Sequence, residues 1–533
     1  MTSFFSRFSP VPGFPDHTGP YRVGTIDIEL PAARLSSPAP APDPTISTVQ
    51  FRLFYPCDAN RPQDQHVRWM PHPQREYVGA YAKFLGAKGA FVEILSRIPQ
   101  LLYYITIPVH ANAPLLTPPT KTKRWPVMVF SHGLGGTRNA YSHLVGSLAS
   151  RGMVVIAPEH RDGSTPVSFI RDLSLDGEVP TKTALSGRRA IPYRSVPFQP
   201  TTEAELARNE QLRIRLWELG LIHEAVLQLE AGEDMIGVDA SQVNASKAAD
   251  NPLLRMFEGQ LDVHDPGSVS WAGHSFGAAT VIQFVKSVFY RPTESNQLES
   301  DFSTFAPLFT PSASSNIAKQ ITPKSPVIVL DLWTAPLRGN STRWLWNQPL
   351  PTYASSGPGG VNVLAILSDA FFKWKANLES TKQILAENTT LRARESTKPG
   401  PRMFYVKSSA HLSQSDFGVL FPWFTKRILK AHAPERTLAL NVRAISQVLR
   451  ESGVEVAGVT DDEREIQTGG KTESAKRVET GDWKILARDG DVEGWVVVDP
   501  DLDASGEDDV AAESAEKSPN QAVVQGEVGN DTA

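Results

Sequence analysis

Short apolar runs at Trp125 to Phe130, Val269 to Ala272, Val327 to Leu330 and Val361 to Leu367 read as strands, and Arg402 to Ser408 joins them. Helical spacing of apolar residues marks Glu203 to Glu230, Ala278 to Phe289, Phe417 to Ile428 and Leu438 to Leu449. Strands that alternate with helices predict an α/β protein with a mostly parallel central sheet and helices on both faces. The stretch 81–107 also has a helical period: Phe91, Ile94, Leu95, Ile98, Leu101, Leu102 and Ile105 recur with Lys83, Lys88, Glu93 and Arg97 between them. Past Gly453 the pattern weakens. Thr460 to Asp482 is polar and charged, Trp483 to Val498 predicts a hairpin turning at Asp489-Gly490, and the acidic, aromatic-free tail from Pro500 onward is expected to be disordered. The expected organisation is a catalytic domain over 1–455, an extension over 456–499 and a tail over 500–533.

The run Val269 to Ala272 leads into Gly273-His274-Ser275-Phe276-Gly277, which is followed at once by the Ala278 to Phe289 helical pattern. Strand, sharp turn and helix around G-x-S-x-G make a nucleophile elbow. The serine sits at the tip of a strained turn, and the flanking glycines avoid collisions where strand and helix cross. Ser275 is therefore the candidate nucleophile. The N–H of Phe276, at the helix start, is a candidate donor to an oxyanion, helped by the helix dipole.

An α/β-hydrolase fold requires an acid and then a histidine downstream of the serine. Only His411 and His432 follow Ser275. His411 falls in the loop after the Arg402 to Ser408 strand, where a general base belongs, whereas His432 lies beside Pro434 at the end of a helical pattern. Two strands end in an acid, at Asp331 and at Asp369. Either could orient the imidazole, and either could equally be an Asp capping a loop or helix. The usual strand order of the fold leans slightly to Asp369, and the residues alone leave the choice open. Upstream, Trp125 to Phe130 ends in Ser131-His132-Gly133-Leu134-Gly135-Gly136, a Gly-rich loop that lets backbone N–H groups approach a substrate oxygen. Leu134 is the second candidate oxyanion donor. No G-K-[ST] follows and the G-x-G-x-x-G spacing is absent, which sets aside a phosphate loop.

Several long motifs then occur in order: Phe130 to Gly135, Glu159-His160-Arg161-Asp162, Arg208-Asn209-Glu210-Gln211, and Gly273 through Gln283. Together they resemble the monomeric platelet-activating factor acetylhydrolases, with a likeness that runs from near Gly19 to the Leu438 to Leu449 helix. The resemblance implies Ser275 as nucleophile, His411 as base, and Leu134 and Phe276 as oxyanion donors. It also favours Asp331 as the acid, because Asp331-Leu332-Trp333 matches the family's Asp-x-Trp element. What it implies for activity is calcium-independent hydrolysis of a short or oxidised acyl ester at the sn-2 position of a phospholipid. A general carboxylester hydrolase or neutral-lipid lipase is the alternative, and a lipid-binding protein with a vestigial triad is a third reading. The chain departs from the family in the Ser-, Thr-, Pro- and Asn-rich segment 290–326 and in Leu412, which stands after the histidine where a polar residue is expected.

Composition changes this picture little. The 533 residues are 41% hydrophobic and suffice for a large core. A net charge of -5 offers no electrostatic case for nucleic acid. The single cysteine, Cys57, rules out an internal disulfide and a Cys-based metal cluster. His132, His160 and His274 lack ligand spacing, so no metal or other cofactor is expected and they are assigned to support the site. Arg188, Arg189 and Arg194 read as a solvated basic surface. The first residues lack the apolar core of a secretory signal and position 2 is Thr, so neither secretion by that route nor myristoylation is expected. The expected location is cytoplasmic, with peripheral membrane contact through 81–107 weighed against packing of that face on the sheet. No protein partner is legible.

Overall fold

The computed structural model describes residues 11–58, 66–86, 101–171, 187–233, 253–292, 307–387, 398–458, 482–488 and 492–501. One large mixed sheet organises them. Its strands are β1 (Arg22–Pro31), β2 (Thr48–Cys57), β3 (His66–Arg68), β4 (Thr106–Ala111), β5 (Trp125–Ser131) and β6 (Val154–Pro158). After a separate hairpin of β7 (Val167–Arg171) and β8 (Arg188–Pro192) come β9 (Leu261–Asp262), β10 (Ser270–His274), β11 (Val327–Leu330), β12 (Val363–Ser368), β13 (Arg402–Val406) and β14 (Trp495–Val497). The spatial order is β14-β13-β12-β11-β10-β5-β6-β2-β1-β4-β3, with β9 beside β5. Neighbours from β13 through β6 run parallel, while β2 is antiparallel to both β6 and β1.

Side chains of each parallel strand divide between two cores, as strand geometry requires. Val127 and Val129 of β5 enter one core, with the Thr202–Glu230 and Phe276–Phe289 helices. Met128 and Phe130 enter the other, with the Ser142–Ala149 and Pro434–Glu451 helices. A mostly parallel sheet covered on both faces is the α/β-hydrolase arrangement, and it aligns the C-terminal ends of β5, β10, β11, β12 and β13, where the candidate residues lie.

Three expectations change. The stretch 81–107 is not one helix. It holds the end of the Gln74–Phe84 helix, a short Leu101–Tyr104 turn and the start of β4. Ile105 and Ile107 are buried in the core because β4 pairs with β1 and β3; Phe91, Ile94, Leu95 and Ile98 lie outside the described residues. Likewise, Trp495–Val497 forms no hairpin with the preceding residues, which make a short Asp482–Leu486 helical turn. It pairs antiparallel with Phe404–Val406 at the sheet edge, and the Trp495 indole N–H donates to the Ile485 carbonyl at 2.8 Å; Asp489-Gly490 and the tail beyond 501 lie outside the described residues. Finally, the Phe417 to Ile428 pattern splits into Asp416–Leu420 and Pro422–Arg427, since the residue before a proline is pushed out of the helical region.

Part of the 290–326 segment is described and firmly attached. Leu308 and Phe309 are buried, and the Gln320 side chain accepts from the Gly267 N–H at 2.7 Å and donates to the Val263 carbonyl at 2.8 Å.

Candidate active site

Ser275 links β10 to the Phe276–Phe289 helix at φ 57 and ψ -119, a conformation that non-glycine residues adopt only under constraint. Its N–H is held by the Leu330 carbonyl at 2.9 Å. The two motif glycines have steric reasons. A Cβ on Gly273 would lie 2.4 Å from the Gly277 carbonyl oxygen, and one on Gly277 would lie 2.0 Å from that of Ser131. Helix, β10 and the β5 loop therefore approach at distances that no side chain permits, which lifts Ser275 to the end of the sheet.

His411 lies in the loop after β13, as expected, and its Nδ1 is 2.8 Å from Asp331 Oδ2. Asp331 follows β11 directly and is fully buried; its Oδ1 accepts from the Ser368 N–H at 2.6 Å. The imidazole is sandwiched between Phe371, with centroids 4.6 Å apart, and His274, at 4.3 Å. Ring stacking on both sides and a carboxylate on one nitrogen fix its orientation. His274 is kept neutral, since burial and the neighbouring His411 lower it well below the imidazole range, and the Tyr141 hydroxyl meets its Nδ1 at 2.7 Å. Asp369 is elsewhere, paired with Lys373 at 2.6 Å in the first turn of the Asp369–Lys373 helix. His432 is exposed, its N–H on the Ser408 carbonyl.

The two candidate donors lie beside the serine: Phe276 follows it directly, and a Cβ on Gly133, the residue before Leu134, would lie 3.0 Å from Ser275 Cβ. The Phe276 N–H begins a helix, and neither it nor the Leu134 N–H has an acceptor among the described residues. Around Leu134 the loop is tied down. Gly133 N–H donates to the Tyr141 hydroxyl at 3.2 Å, Gly135 N–H to the Ser164 carbonyl at 2.8 Å, and Gly136 N–H to the Gly133 carbonyl at 3.1 Å. Gly135 sits at φ 70 with Phe84 against it, so both its backbone and its surroundings call for glycine.

Beneath this loop lies a polar network of which the sequence reading gave only His132 and His160 a supporting role. Arg215 is fully buried, donating from Nε to Asp162 Oδ2 at 2.7 Å, from Nη2 to Ser164 Oγ at 2.6 Å and from Nη1 to the His132 carbonyl at 2.8 Å. Its guanidinium covers the Phe276 ring at 4.5 Å. His160 bridges Ser131 Oγ, at 2.9 Å, and Glu218 Oε2, at 2.8 Å. Burial raises Glu218 to about 8 and lowers His160 well below its ordinary value, so this pair is neutral. The Glu159 to Asp162 run and the Arg208 to Gln211 run were signals for this region. The partners Arg215 and Glu218 carried none, being single polar residues in a helical pattern. Arg194 pairs with Glu210 on the surface and Arg189 bonds to Thr45, consistent with a solvated basic patch.

Among the described residues, His274, Asp331 and His411 are close enough together to hold a metal ion, their ligand atoms lying within 4.8 Å of one another. Asp331 Oδ2 and His411 Nδ1 are already bonded to each other, and His274 Nδ1 is taken by Tyr141. The donor set is that of a hydrogen-bonded relay rather than a cation cage.

A family model described as "Platelet-activating factor acetylhydrolase, isoform II" matches residues 7–463. A Schizosaccharomyces pombe protein named "Putative phospholipase A2" is 28% identical over 476 residues, covering 86% of this chain and 97% of its own. The platelet-activating factor acetylhydrolase of Cavia porcellus is 32% identical over 270 residues, about half of each chain (50% and 51%). That of Gallus gallus is 25% identical over 409 residues, covering 76% of this chain and 74% of its own. A ferulic acid esterase structure from Streptomyces cinnamoneus overlays 83% of this chain and 93% of its own, at 15% identity and a TM-score of 0.42.

Proposed function

The chain belongs to the platelet-activating factor acetylhydrolase family, and from that premise we propose that it is a serine esterase releasing the acetyl or other short or oxidised acyl group from the sn-2 position of a phospholipid, without calcium. The observation that carries this reading is the hydrogen bond between His411 and Asp331, set against the strained turn of Ser275. His411 removes the Ser275 proton as Oγ attacks the ester carbonyl, and buried Asp331 stabilises the imidazolium that forms. The Leu134 and Phe276 N–H groups receive the developing oxyanion. His411 then protonates the lyso-lipid as it leaves, and water repeats the sequence on the acyl-enzyme. No step requires a cation, because preorganised N–H donors supply the charge stabilisation.

Contact with a lipid surface is part of the proposal. No helix among the described residues is long and apolar enough to cross a membrane. At the ends of the 81–107 stretch Leu85 is 58% and Tyr104 is 52% exposed, and Trp423 is 69% exposed. Its helix follows the turn in which Phe417 packs on Tyr81, at 5.7 Å between centroids. Apolar and aromatic side chains left in water are suited to the headgroup layer. A cytoplasmic location belongs to the same proposal.

The test is release of acetate from a 2-acetyl phosphatidylcholine analogue in the presence of chelator, comparing wild type with Ser275→Ala. Activity that survives chelator and vanishes in the variant is expected. Activity on simple esters alone would discard the phospholipid substrate and keep the hydrolase.

A further inference from the structure

Arg208 is a buried cation with no carboxylate in direct contact among the described residues, the charge of Asp162 acting on it only from a distance. It lies on the Thr202–Glu230 helix, is 5% exposed, and is stacked near three aromatic rings: Trp333 at 5.2 Å, Phe276 at 5.6 Å and Phe198 at 5.9 Å. Its Nη1 donates to Gln211 Oε1 at 2.7 Å and its Nη2 to the Val196 carbonyl at 3.2 Å, both neutral acceptors. Its Nε is buried with no acceptor, and no carboxylate pairs with it among the described residues. By contrast Arg215, Arg138, Arg52 and Arg161, equally buried, each pair with a carboxylate. Burial lowers the Arg208 guanidinium to about 10, which leaves it charged at neutral pH.

This cation lines an open pocket of about 200 Å³, together with Phe198, Thr201, Glu205, Trp333 and Arg338. The first turn of a 29-residue helix borders the same space, adding the positive end of its dipole. Glu205 is the one acid in the lining, and its Oε1 is engaged by the Asn340 N–H at 2.6 Å. The local balance is therefore positive, in a chain whose net charge is -5. Trp333 joins the pocket to the candidate catalytic centre. It lines the pocket, and its backbone N–H donates to the Ser275 carbonyl at 3.4 Å. The Phe276 ring under Arg208 belongs to the residue whose N–H is an oxyanion donor.

We propose that this pocket is an anion subsite in which Arg208 receives a carboxylate or phosphate group carried by the ester substrate. The proposal rests on the esterase reading above. A guanidinium left unpaired in a low-dielectric wall is costly, and a charge-assisted bond to a ligand anion recovers that cost only when substrate is present. The apolar walls accept the methylene chain leading to a carboxylate, and the two anion sources, acyl terminus and headgroup, differ in which part of the substrate enters.

Two ester pairs separate these sources. p-Nitrophenyl monoglutarate against p-nitrophenyl butyrate carries the charge on the acyl side, and a 2-acetyl phosphatidylcholine analogue against its headgroup-free counterpart carries it on the alcohol side. In wild type kcat/KM favours the anionic member of one pair, and Arg208→Met lowers that preference about tenfold or more; the pair that responds identifies the source. Equal losses on both members of both pairs would make Arg208 a packing residue and overturn the proposal. A binding readout stands apart from turnover: glutarate or inorganic phosphate is expected to raise the melting temperature of Ser275→Ala but not of the Ser275→Ala, Arg208→Met double variant. No shift in Ser275→Ala with either anion would also overturn the subsite. A shift that persists while wild type hydrolyses none of these esters would retire the esterase reading and leave the anion site standing.

Discussion

Asp331 and His411 meet at 2.8 Å although strand β12 lies between the strands that carry them. The other Asp331 oxygen is bound by the Ser368 N–H at the end of β12, so the intervening strand positions the acid rather than supplying it. Asp331→Asn is expected to lower kcat on the order of ten-thousandfold, by favouring the wrong imidazole tautomer. Asp369→Asn, which breaks only the bond to Lys373, is expected to leave the rate near wild type. Steady-state kinetics of the two variants check this, and the reverse ranking would transfer the acid role to Asp369.

Leu134→Pro removes one N–H that has no acceptor among the described residues. The expected loss in kcat is on the order of a hundredfold or more, with the folded state retained by circular dichroism. A rate within about twofold of wild type would remove Leu134 from the oxyanion site.

Gly277→Ala places a methyl group 2.0 Å from the Ser131 carbonyl oxygen, where backbone on both sides leaves no room to yield. The helix must retreat from β5, so melting temperature and activity fall together. Gly453→Ala is a control for glycine loss without collision, since nothing lies within 4 Å of its added Cβ; its backbone at φ 87 carries a smaller strain of its own.

Arg215→Met leaves the buried Asp162 carboxylate without its cation and releases the His132 carbonyl. Breaking a buried pair of this kind typically costs about 3–5 kcal/mol, measurable as a shift of the denaturation midpoint. Loss of the support beneath Phe276 is expected to lower kcat more than it raises KM. An unchanged midpoint would show that the network contributes no stability.

Acid should unfold this protein by way of its buried histidines. Burial lowers His223 to about 4, His143 to about 4 and His132 to about 3. Between those values and the ordinary 6.5 the unfolded chain binds protons that the folded chain refuses, so stability rises with pH and is lost as pH falls from 6.5 toward 4. Each group contributes roughly 1 kcal/mol per pH unit in that window. Neither ring nitrogen of His223 has a hydrogen-bond partner among the described residues. His223→Phe is therefore expected to flatten the pH dependence of urea unfolding between pH 6.5 and 4; an unaltered slope would show that His223 is not buried in its neutral form.

The parts of the site that depend on short sequence spacing were legible beforehand. Ser275, the Gly-rich loop at Leu134 and the loop of His411 follow from strand-turn patterns, and the α/β arrangement follows from their alternation. The acid was legible only through the Asp-x-Trp resemblance, since by strand pattern alone Asp331 and Asp369 look alike until β12 is seen to stand between β11 and β13. Arg215, Glu218 and Phe371 were also invisible as site residues, because their partners lie on other elements and long-range pairing leaves no period in the chain. For the same reason Trp495–Val497 read as half of a local hairpin, although its partner is Phe404–Val406.

That last pairing sets an order of events during synthesis. β13 leads to His411, yet its outer edge stays open until the ribosome has delivered Trp495, a wait on the order of ten seconds at typical elongation rates. For that interval Phe404 and Val406 lack the partner they have in the finished fold, and an open strand edge is a template for pairing with neighbouring nascent chains.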